Sequence, residues 1–212
     1  MPSHDQSVCA VILSAGFSTR MRRFKPLLPF GEGSVLAHVV GTWRAAGVRR
    51  VLVVGGYRAD EVEAESARLG ASFVRNPRPE DGMFSSVCVG LAAALELFPE
   101  CRWLGVHPVD IPLVRPDTIT ALLSAGAVAR KELLMPAYGG DGGRGGHPPM
   151  LSRELAARVL SWRGDGGLRA VLVGADRLLV PVDDPYINMD MDRPADYEAA
   201  LSHLTGERGQ RH

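Results

Sequence analysis

Short apolar runs alternate with segments of helical periodicity along this chain, and that alternation restricts its fold more than any other feature. Residues 8–13 (VCAVIL) are too few for a helix and almost uniformly apolar, which predicts a strand buried on both faces. Residues 51–54 (VLVV) form a second such run, after a helical segment that begins at Ser34 and ends at Gly47. This order predicts an α/β fold with a mostly parallel sheet, helices on both faces and three Rossmann-like layers.

The same periodicities place the other elements in one domain, residues 1–205, followed by a disordered tail at residues 206–212. Residues 138–149 contain six glycines and are predicted to form a mobile loop. Further strands are predicted at residues 71–74, 103–106, 133–137 and 178–182, and further helices at residues 60–69, 83–98, 116–127, 153–162, 167–173 and 196–204.

The composition excludes several classes of function. The 24 basic and 24 acidic residues give a net charge of zero, whereas general nucleic-acid or membrane binders usually carry a basic excess. Apolar runs fall short of the roughly 18 residues that span a bilayer, and the first eight residues lack the apolar core of a secretory signal. Cys9, Cys88 and Cys101 have no disulfide-framework or metal-site spacing. We therefore expect a cytoplasmic protein that binds neither nucleic acid nor membrane.

A turn of small residues and a run of cations follow the first predicted strand. Residues 14–16 (SAG) allow backbone amides to approach a ligand, and residues 20–25 (RMRRFK) supply four cations, including Lys25, one of two lysines in the chain. Ligands of open α/β sheets bind at the carboxyl ends of the strands, where such a turn suits a phosphate chain. The segment has neither a Walker A ending nor a G-x-G-x-x-G fingerprint. A simple turn followed by a solvated basic stretch is the alternative.

A carboxylate is predicted at the same edge of the sheet by residues 106–112 (VHPVDIP), after the fourth strand. Asp110 suits Mg²⁺, which proteins usually bind through one or two carboxylates together with substrate phosphates. The alternative is a turn-forming Asp that caps the next helix. His107 is predicted to be a packed, hydrogen-bonding histidine rather than a catalytic one.

A second acidic segment, residues 188–197 (NMDMDRPADY), precedes the last predicted helix. Asp190 and Asp192 alternate, so both side chains are predicted to lie on one face of an extended segment. Asp192 would also suit the N-cap of the last helix, with Pro194 in its first turn.

Residues 13–29 (LSAGFSTRMRRFKPLLP) resemble the signature loop of the molybdenum-cofactor nucleotidyltransferases (MobA/MocA-like NTP transferases) and of related sugar-phosphate and polyol-phosphate nucleotidyltransferases. The start of the loop and its KPLLP run are most similar to the cytidylyltransferase branch. The loop departs from the family at Ser14, where Ala is usual, and at Arg22, where Gly commonly follows the Arg-Met pair.

Other segments resemble further motifs of this family in the same order, and the resemblance extends from residue 11 to residue 197. Residues 76–87 (NPRPEDGMFSSV) resemble a segment that follows the third strand, and residues 143–151 (GRGGHPPML) resemble a loop that faces the acceptor substrate. The resemblance implies a nucleotidyltransferase fold with an acceptor-side insertion at residues 133–151.

The resemblance also implies a role for each matching residue. Asp110 and Asp192 would bind Mg²⁺, with Asp190 close by, and Arg20 and Lys25 would hold the triphosphate and stabilise the leaving pyrophosphate. The remaining candidates would contact the nucleotide or the acceptor: Leu13, Ser14, Ala15 and Gly16 along the turn, Ser85 and Ser86 at a helix start or as its caps, and Arg144 and His147 in the glycine-rich loop.

The implied reaction is transfer of CMP from CTP to the phosphate of molybdopterin, with release of pyrophosphate. Two alternatives remain open. One keeps the chemistry with GTP, or with a sugar, polyol or lactate-type phosphate as acceptor. The other is a catalytically silent carrier that binds the molybdenum cofactor and delivers it to a molybdoenzyme or its chaperone, and Arg22 is the residue that keeps this alternative open.

Overall fold

The computed structural model describes residues 7–139 and 145–209, with side chains described through residue 206. Within these residues the strands are β1 (Val8–Ser14), β2 (Pro29–Phe30), β3 (Gly33–Ser34), β4 (Arg50–Gly55), β5 (Ser72–Arg75), β6 (Trp103–Pro108), β7 (Leu133–Ala137), β8 (Met150–Ser152) and β9 (Arg177–Pro181). The α-helices are α1 (Val35–Ala45), α2 (Ala59–Arg68), α3 (Met83–Leu97), α4 (Pro116–Val128), α5 (Arg153–Ser161), α6 (Gly167–Val173) and α7 (Pro194–Gly209).

Seven of these strands form one sheet in the order β5-β4-β1-β6-β8-β7-β9, and β2 pairs with β3 in a separate short ribbon. β1 lies parallel to both of its neighbours, with Ile12 opposite Val53 of β4 and His107 of β6. Only β8 runs antiparallel in this sheet, between β6 and β7. The predicted mostly parallel sheet is therefore confirmed.

Two features differ from the sequence predictions. Residues 133–151 were expected to form an insertion, but β7 and β8 lie inside the main sheet, where Leu151 pairs with Leu104 and Leu133. A three-residue strand carries too little periodicity to be predicted beside a glycine-rich loop. The last helix runs to Gly209 and so continues past residue 206, where the tail was predicted to begin.

Alternation along β1 separates the two helical layers. Ala10 and Ile12 pack in a cluster with residues of α1, α4 and α7. Cys9, Val11 and Leu13 pack in a second cluster with residues of α3, α5 and α6. All of these β1 side chains are buried, as expected for a strand covered on both faces. The predicted three layers are therefore confirmed.

The carboxyl ends of the parallel strands β1, β4, β5 and β6 lie at one edge of the sheet, where ligands of such folds bind. The predicted phosphate-binding turn follows β1, and the predicted metal-binding Asp110 follows β6. Within the described part of the chain, every helix is too short or too polar to cross a bilayer.

Candidate active site

The turn after β1 lies directly against the turn after β4. The amide of Tyr57 donates to the carbonyl of Ala15 at 3.1 Å. A Cβ added to Gly56 would lie 2.8 Å from the Cβ of Ala15, so this close approach of the two backbones requires glycine. The contact fixes the position of Ala15 and leaves Gly16 exposed at the edge of the sheet.

The loop that follows contains tight turns, with Ser18 and Arg22 in the left-handed region of backbone conformation. The amide of Met21 donates to the carbonyl of Ser18 at 3.1 Å, and Arg22 then adopts a left-handed conformation with φ of 56°. Met21 is buried and holds the turn on the core. The hydroxyl of Ser18 accepts from the amide of Lys25 at 3.1 Å, which closes the loop where Lys25 begins a short 3-10 turn.

The Lys25 ammonium lies between two carboxylates. Its Nζ donates to Asp110 Oδ2 at 3.0 Å and to Asp192 Oδ1 at 2.9 Å. Arg20 also pairs with Asp192, through Oδ2, although its side chain is 71% exposed. The structure thus brings together the four residues for which a catalytic or metal-binding role was predicted.

The charges of this cluster shift the pKa values of its members. Burial lowers the pKa of Lys25, but the carboxylates of Asp110 and Asp192 outweigh it and hold this pKa above its ordinary value. The hydrogen bond from Lys25 lowers the pKa of Asp192. Desolvation, and then the charges of Asp110 and Asp192, raise the pKa of Asp190, in agreement with its predicted proximity. At neutral pH, Lys25 is therefore charged and Asp192 is ionised.

Asp110 lies on the segment that follows β6, residues 109–114 (the β6 arm). The amide of Val109 donates to the carbonyl of Leu13 at 3.0 Å, which ties the arm to the end of β1. The amide of Met191 donates to the carbonyl of Asp110 at 2.8 Å, which ties it to the second acidic segment. These backbone bonds place the Asp110 carboxylate beside the turn after β1.

Asp192 lies on the C-terminal arm, residues 184–193, which a buried carboxylate anchors at its start. Asp184 accepts from the amide of Arg115 at 2.8 Å and from the hydroxyl of Thr118 at 2.7 Å, at the beginning of α4. At the other end, Asp196 Oδ2 accepts from the amides of Asp192 and Arg193. Asp196 thus provides the carboxylate that reaches back over the start of α7, and the carboxylate of Asp192 faces the cations instead.

The start of α3 is organised by an asparagine. The buried Asn76 donates from Nδ2 to the hydroxyls of Ser85 and Ser86, at 2.8 and 3.0 Å. Gly82 occupies the N-cap position, so neither serine is the N-cap residue that was considered as an alternative. Ser86 lines the same cleft as the turn after β1.

These elements enclose a cleft of about 260 Å³. His147 is not among its lining residues; burial lowers the pKa of its imidazole, and its Nδ1 is buried without a hydrogen-bond partner. Arg144 lies outside the described residues. Ser85 does not line the cleft either. The lining includes the other predicted nucleotide, catalytic and metal residues: Leu13, Ser14, Ala15, Gly16, Arg20, Lys25, Ser86, Asp110 and Asp192.

Three residues that organise this site were not predicted from the sequence. Asn76 bonds to side chains 9 and 10 residues away, and Asp184 bonds to Thr118, 66 residues away. Asp196 lies in the acidic segment for which only Asp190 and Asp192 were predicted as site residues. The Asn-Pro pair at residues 76 and 77 was the one available signal, because such pairs favour turns whose side chain bonds to the backbone.

The fold and the cleft define the class of protein. A mostly parallel α/β sheet, a small-residue turn with cations and two carboxylates at the same edge form an α/β nucleotidyltransferase. Residues 10–190 match the family model described as the MobA-like NTP transferase domain, and the chain belongs to that family.

Curated relatives and solved structures agree with this assignment. The chain is 24% identical to the molybdenum cofactor cytidylyltransferase of Escherichia coli, over 94% of this chain and 98% of that protein. It is 31% identical to the phosphoenolpyruvate guanylyltransferase of Rubrobacter xylanophilus, over 79% of this chain and 80% of the relative. The structure of Rv0371c from Mycobacterium tuberculosis is similar, with a TM-score of 0.79 and 27% identity over 93% of this chain and 98% of that one.

The bifunctional protein GlmU of Halorhodospira halophila is 37% identical over 119 residues, which make up 55% of this chain. The match spans only 24% of the length of that relative. The similarity to it therefore concerns only part of each protein.

Proposed function

We propose that the protein is a cytoplasmic, Mg²⁺-dependent enzyme that transfers CMP from CTP to the phosphate of a molybdopterin-type acceptor and releases pyrophosphate. The observation that carries the proposal is the Lys25 ammonium, held between Asp110 and Asp192 at the mouth of the turn after β1. Phosphoryl-type transfer depends mainly on positioning and on neutralising negative charge, and this cluster provides groups for both.

The pair of carboxylates fits Mg²⁺. The oxygens of Asp110 and Asp192 are hard ligands, and both lie within hydrogen-bonding distance of one cationic nitrogen, so the site attracts positive charge. Among the described residues, no group of three His, Cys, Asp or Glu side chains forms a complete metal site. Two carboxylates suit Mg²⁺, which completes its shell with water and substrate phosphates. When bound, the ion would neutralise and orient the phosphates.

The reaction balances without a covalent enzyme intermediate. A phosphate oxygen of the acceptor bonds to the α-phosphorus of CTP, and the bond from that phosphorus to the oxygen shared with the β-phosphate breaks. Pyrophosphate leaves with the electron pair of the broken bond. Lys25 and Arg20 would place positive charge where this negative charge collects, and the exposed amide of Gly16 would contact the phosphate chain.

Two observations bear on the nucleotide and the acceptor. The cytidylyltransferase matches over nearly its whole length, which supports CTP and a molybdenum-cofactor acceptor. The guanylyltransferase is more similar in sequence but matches over a smaller share, which supports a second candidate: GTP with a phosphorylated carboxylic acid as acceptor. The carrier alternative depends on Arg22, yet the loop that contains Arg22 still brings Lys25 to both carboxylates.

Pyrophosphate release in the presence of Mg²⁺ tests the proposal, with CTP, GTP, ATP and UTP compared with and without molybdenum cofactor. We expect release with CTP only when the cofactor is present. Release with GTP and phosphoenolpyruvate would favour the second candidate. Cofactor binding without release under any condition would overturn the enzyme and favour the carrier.

The two lysines of the chain provide a matched pair of variants for this assay. Lys25→Ala removes the bridging ammonium and should lower kcat by about a hundredfold or more. Lys131→Ala removes an exposed lysine that pairs with Asp176 at 2.8 Å, away from the cleft, and should leave kcat unchanged. Equal activity of the two variants would contradict the assignment of the site.

A further inference from the structure

A buried histidine connects α1 to the β6 arm from behind the cleft. His107 is fully buried in β6 and does not line the cleft. Its Nδ1 accepts from the indole Nε1 of Trp43 at 2.9 Å, and its Nε2 lies 2.9 Å from the carbonyl oxygen of Ile111. The ring thus contacts the residue that directly follows Asp110.

The two hydrogen-bond partners of His107 determine which imidazole nitrogen carries the proton. An indole N–H only donates, so Nδ1 of His107 must be bare to accept it. The proton of the neutral ring therefore sits on Nε2, which donates to the Ile111 carbonyl. The Ile111 carbonyl only accepts, so it requires the same tautomer; without Trp43 the ring keeps its proton on Nε2 but loses the hydrogen bond that fixes its other side.

The space for this arrangement is provided by a glycine in the same strand. A Cβ at Gly105 would lie only 2.2 Å from Cη2 of Trp43, so the indole packs on β6 because position 105 has no side chain. Trp43 itself is fully buried in α1. Gly105, Trp43 and His107 therefore form one packed unit whose last hydrogen bond ends at Ile111.

We infer that Trp43 and His107 are positioning residues for nucleotidyl transfer: they hold the backbone beyond Asp110 so that its carboxylate stays within reach of Lys25. This inference rests on the proposed function. The Asp110 backbone is constrained from both sides, because its own carbonyl accepts from Met191 and the next carbonyl accepts from His107. A displacement of about 1 Å at such a centre costs up to a hundredfold in rate.

Four variants test the inference. Trp43→Phe keeps an aromatic ring and removes the donor. His107→Leu removes both hydrogen bonds, and His107→Gln keeps an amide that can donate and accept. Trp103→Phe is the matched control, because Trp103 is also buried on β6 but donates from its indole to the Gly126 carbonyl at 3.1 Å, towards α4.

We expect Trp43→Phe to lower kcat about tenfold, with less than a twofold change in KM for the nucleotide, and His107→Leu to lower kcat further. His107→Gln should recover part of the lost kcat. Trp103→Phe should change kcat by less than twofold even where its melting temperature falls as far as that of Trp43→Phe. In substrate-free protein with ¹⁵N-labelled histidine, the His107 ring should carry its proton on Nε2, and Trp43→Phe should shift the Nδ1 resonance, because that nitrogen loses its donor, while the proton stays on Nε2.

Three outcomes would overturn the inference. One is a proton on Nδ1 of His107 in the unsubstituted protein. Another is an equal loss of kcat in Trp43→Phe and Trp103→Phe, which would indicate a loss of general stability. A third is unchanged kcat in His107→Leu. By contrast, an unsubstituted protein that releases no pyrophosphate from any nucleotide would overturn the proposed function, and the histidine spectrum would still decide whether Trp43 donates to Nδ1 of His107.

Discussion

The two acidic arms that meet at Lys25 are held in different ways. The β6 arm is fixed from within the core, by the hydrogen bond from His107 to Ile111 and by the bond from Val109 to the end of β1. Near Asp192, the C-terminal arm is held by partly exposed contacts, chiefly with Arg20 and Asp196. Water and salt compete with exposed contacts more than with buried ones. The backbone that follows Asp110 is therefore held by more buried contacts than the backbone at Asp192.

Neutralising each carboxylate in turn is the most direct test of this difference between the two arms. Asp110→Asn should lower kcat by about a hundredfold or more, because it removes a charge that the core holds in one place. Asp192→Asn should lower kcat by roughly tenfold, because a charge held by more exposed contacts contributes less to a defined transition state. Steady-state pyrophosphate release measures both effects.

The control for this pair is Asp183→Asn, a change of the same charge at an exposed aspartate that does not line the cleft. It should retain the activity of the unsubstituted protein. If Asp192→Asn loses as much activity as Asp110→Asn, the two arms are equivalent in function and the comparison fails.

Acid should weaken the two arms over different pH ranges. Burial lowers the pKa of His107 from 6.5 to about 4, so the fold favours the neutral ring. Its contribution to stability is complete above pH 6.5 and is lost as the pH falls towards 4, by about 3 kcal/mol in total. Lys25 lowers the pKa of Asp192 below its ordinary 3.8, so that contribution is present above pH 3.8 and is lost only at lower pH.

Urea unfolding of the unsubstituted protein and of His107→Gln between pH 7.5 and pH 4 measures this difference. Glutamine does not titrate, so the variant should lose less stability over this range. If the free energy of unfolding falls by the same amount in both proteins between pH 7.5 and pH 4, the fold does not hold His107 neutral.

The C-terminal arm should respond to the loss of its helix-start carboxylate. Asp196→Ala removes the acceptor for the amides of Asp192 and Arg193, and should lower the free energy of unfolding by about 1 kcal/mol. We also expect kcat to fall several-fold, because Asp192 follows the backbone that Asp196 holds. Glu198→Ala, at an exposed position of the same helix, should change neither quantity appreciably. If Asp196→Ala leaves kcat unchanged, the position of Asp192 does not depend on the Asp196 carboxylate.

The sequence predicted the parts of the molecule that local pattern determines. The all-apolar run of β1 predicted a central strand, and the rule that ligands bind at carboxyl ends placed Lys25 and Asp110 at one edge before any geometry was known. The contacts that hold the arms were not predictable, because Trp43 and His107 are 64 residues apart and Thr118 and Asp184 are 66 residues apart. The residue pattern within a single helix or strand carries no information about which distant residues will pair.

The smallest predicted effect concerns the loop that carries Lys25 to both arms. Arg22 has a left-handed backbone and an exposed side chain that does not line the cleft. For an L-residue this conformation costs about 1–2 kcal/mol, while glycine adds roughly 0.5–1 kcal/mol of entropic cost. Arg22→Gly should therefore raise the free energy of unfolding by about 0.5 kcal/mol.

Urea unfolding checks this change against Arg23→Gly, at a neighbouring exposed position where φ is not positive. The control should be destabilised by about 0.5–1 kcal/mol. The two substitutions should therefore change the free energy of unfolding in opposite directions. If Arg22→Gly also leaves kcat within twofold, the arginine is compatible with full activity and the carrier alternative loses its main support. If Arg22→Gly instead raises kcat tenfold or more, the conformation of the loop, rather than either arm, limits the positioning of Lys25.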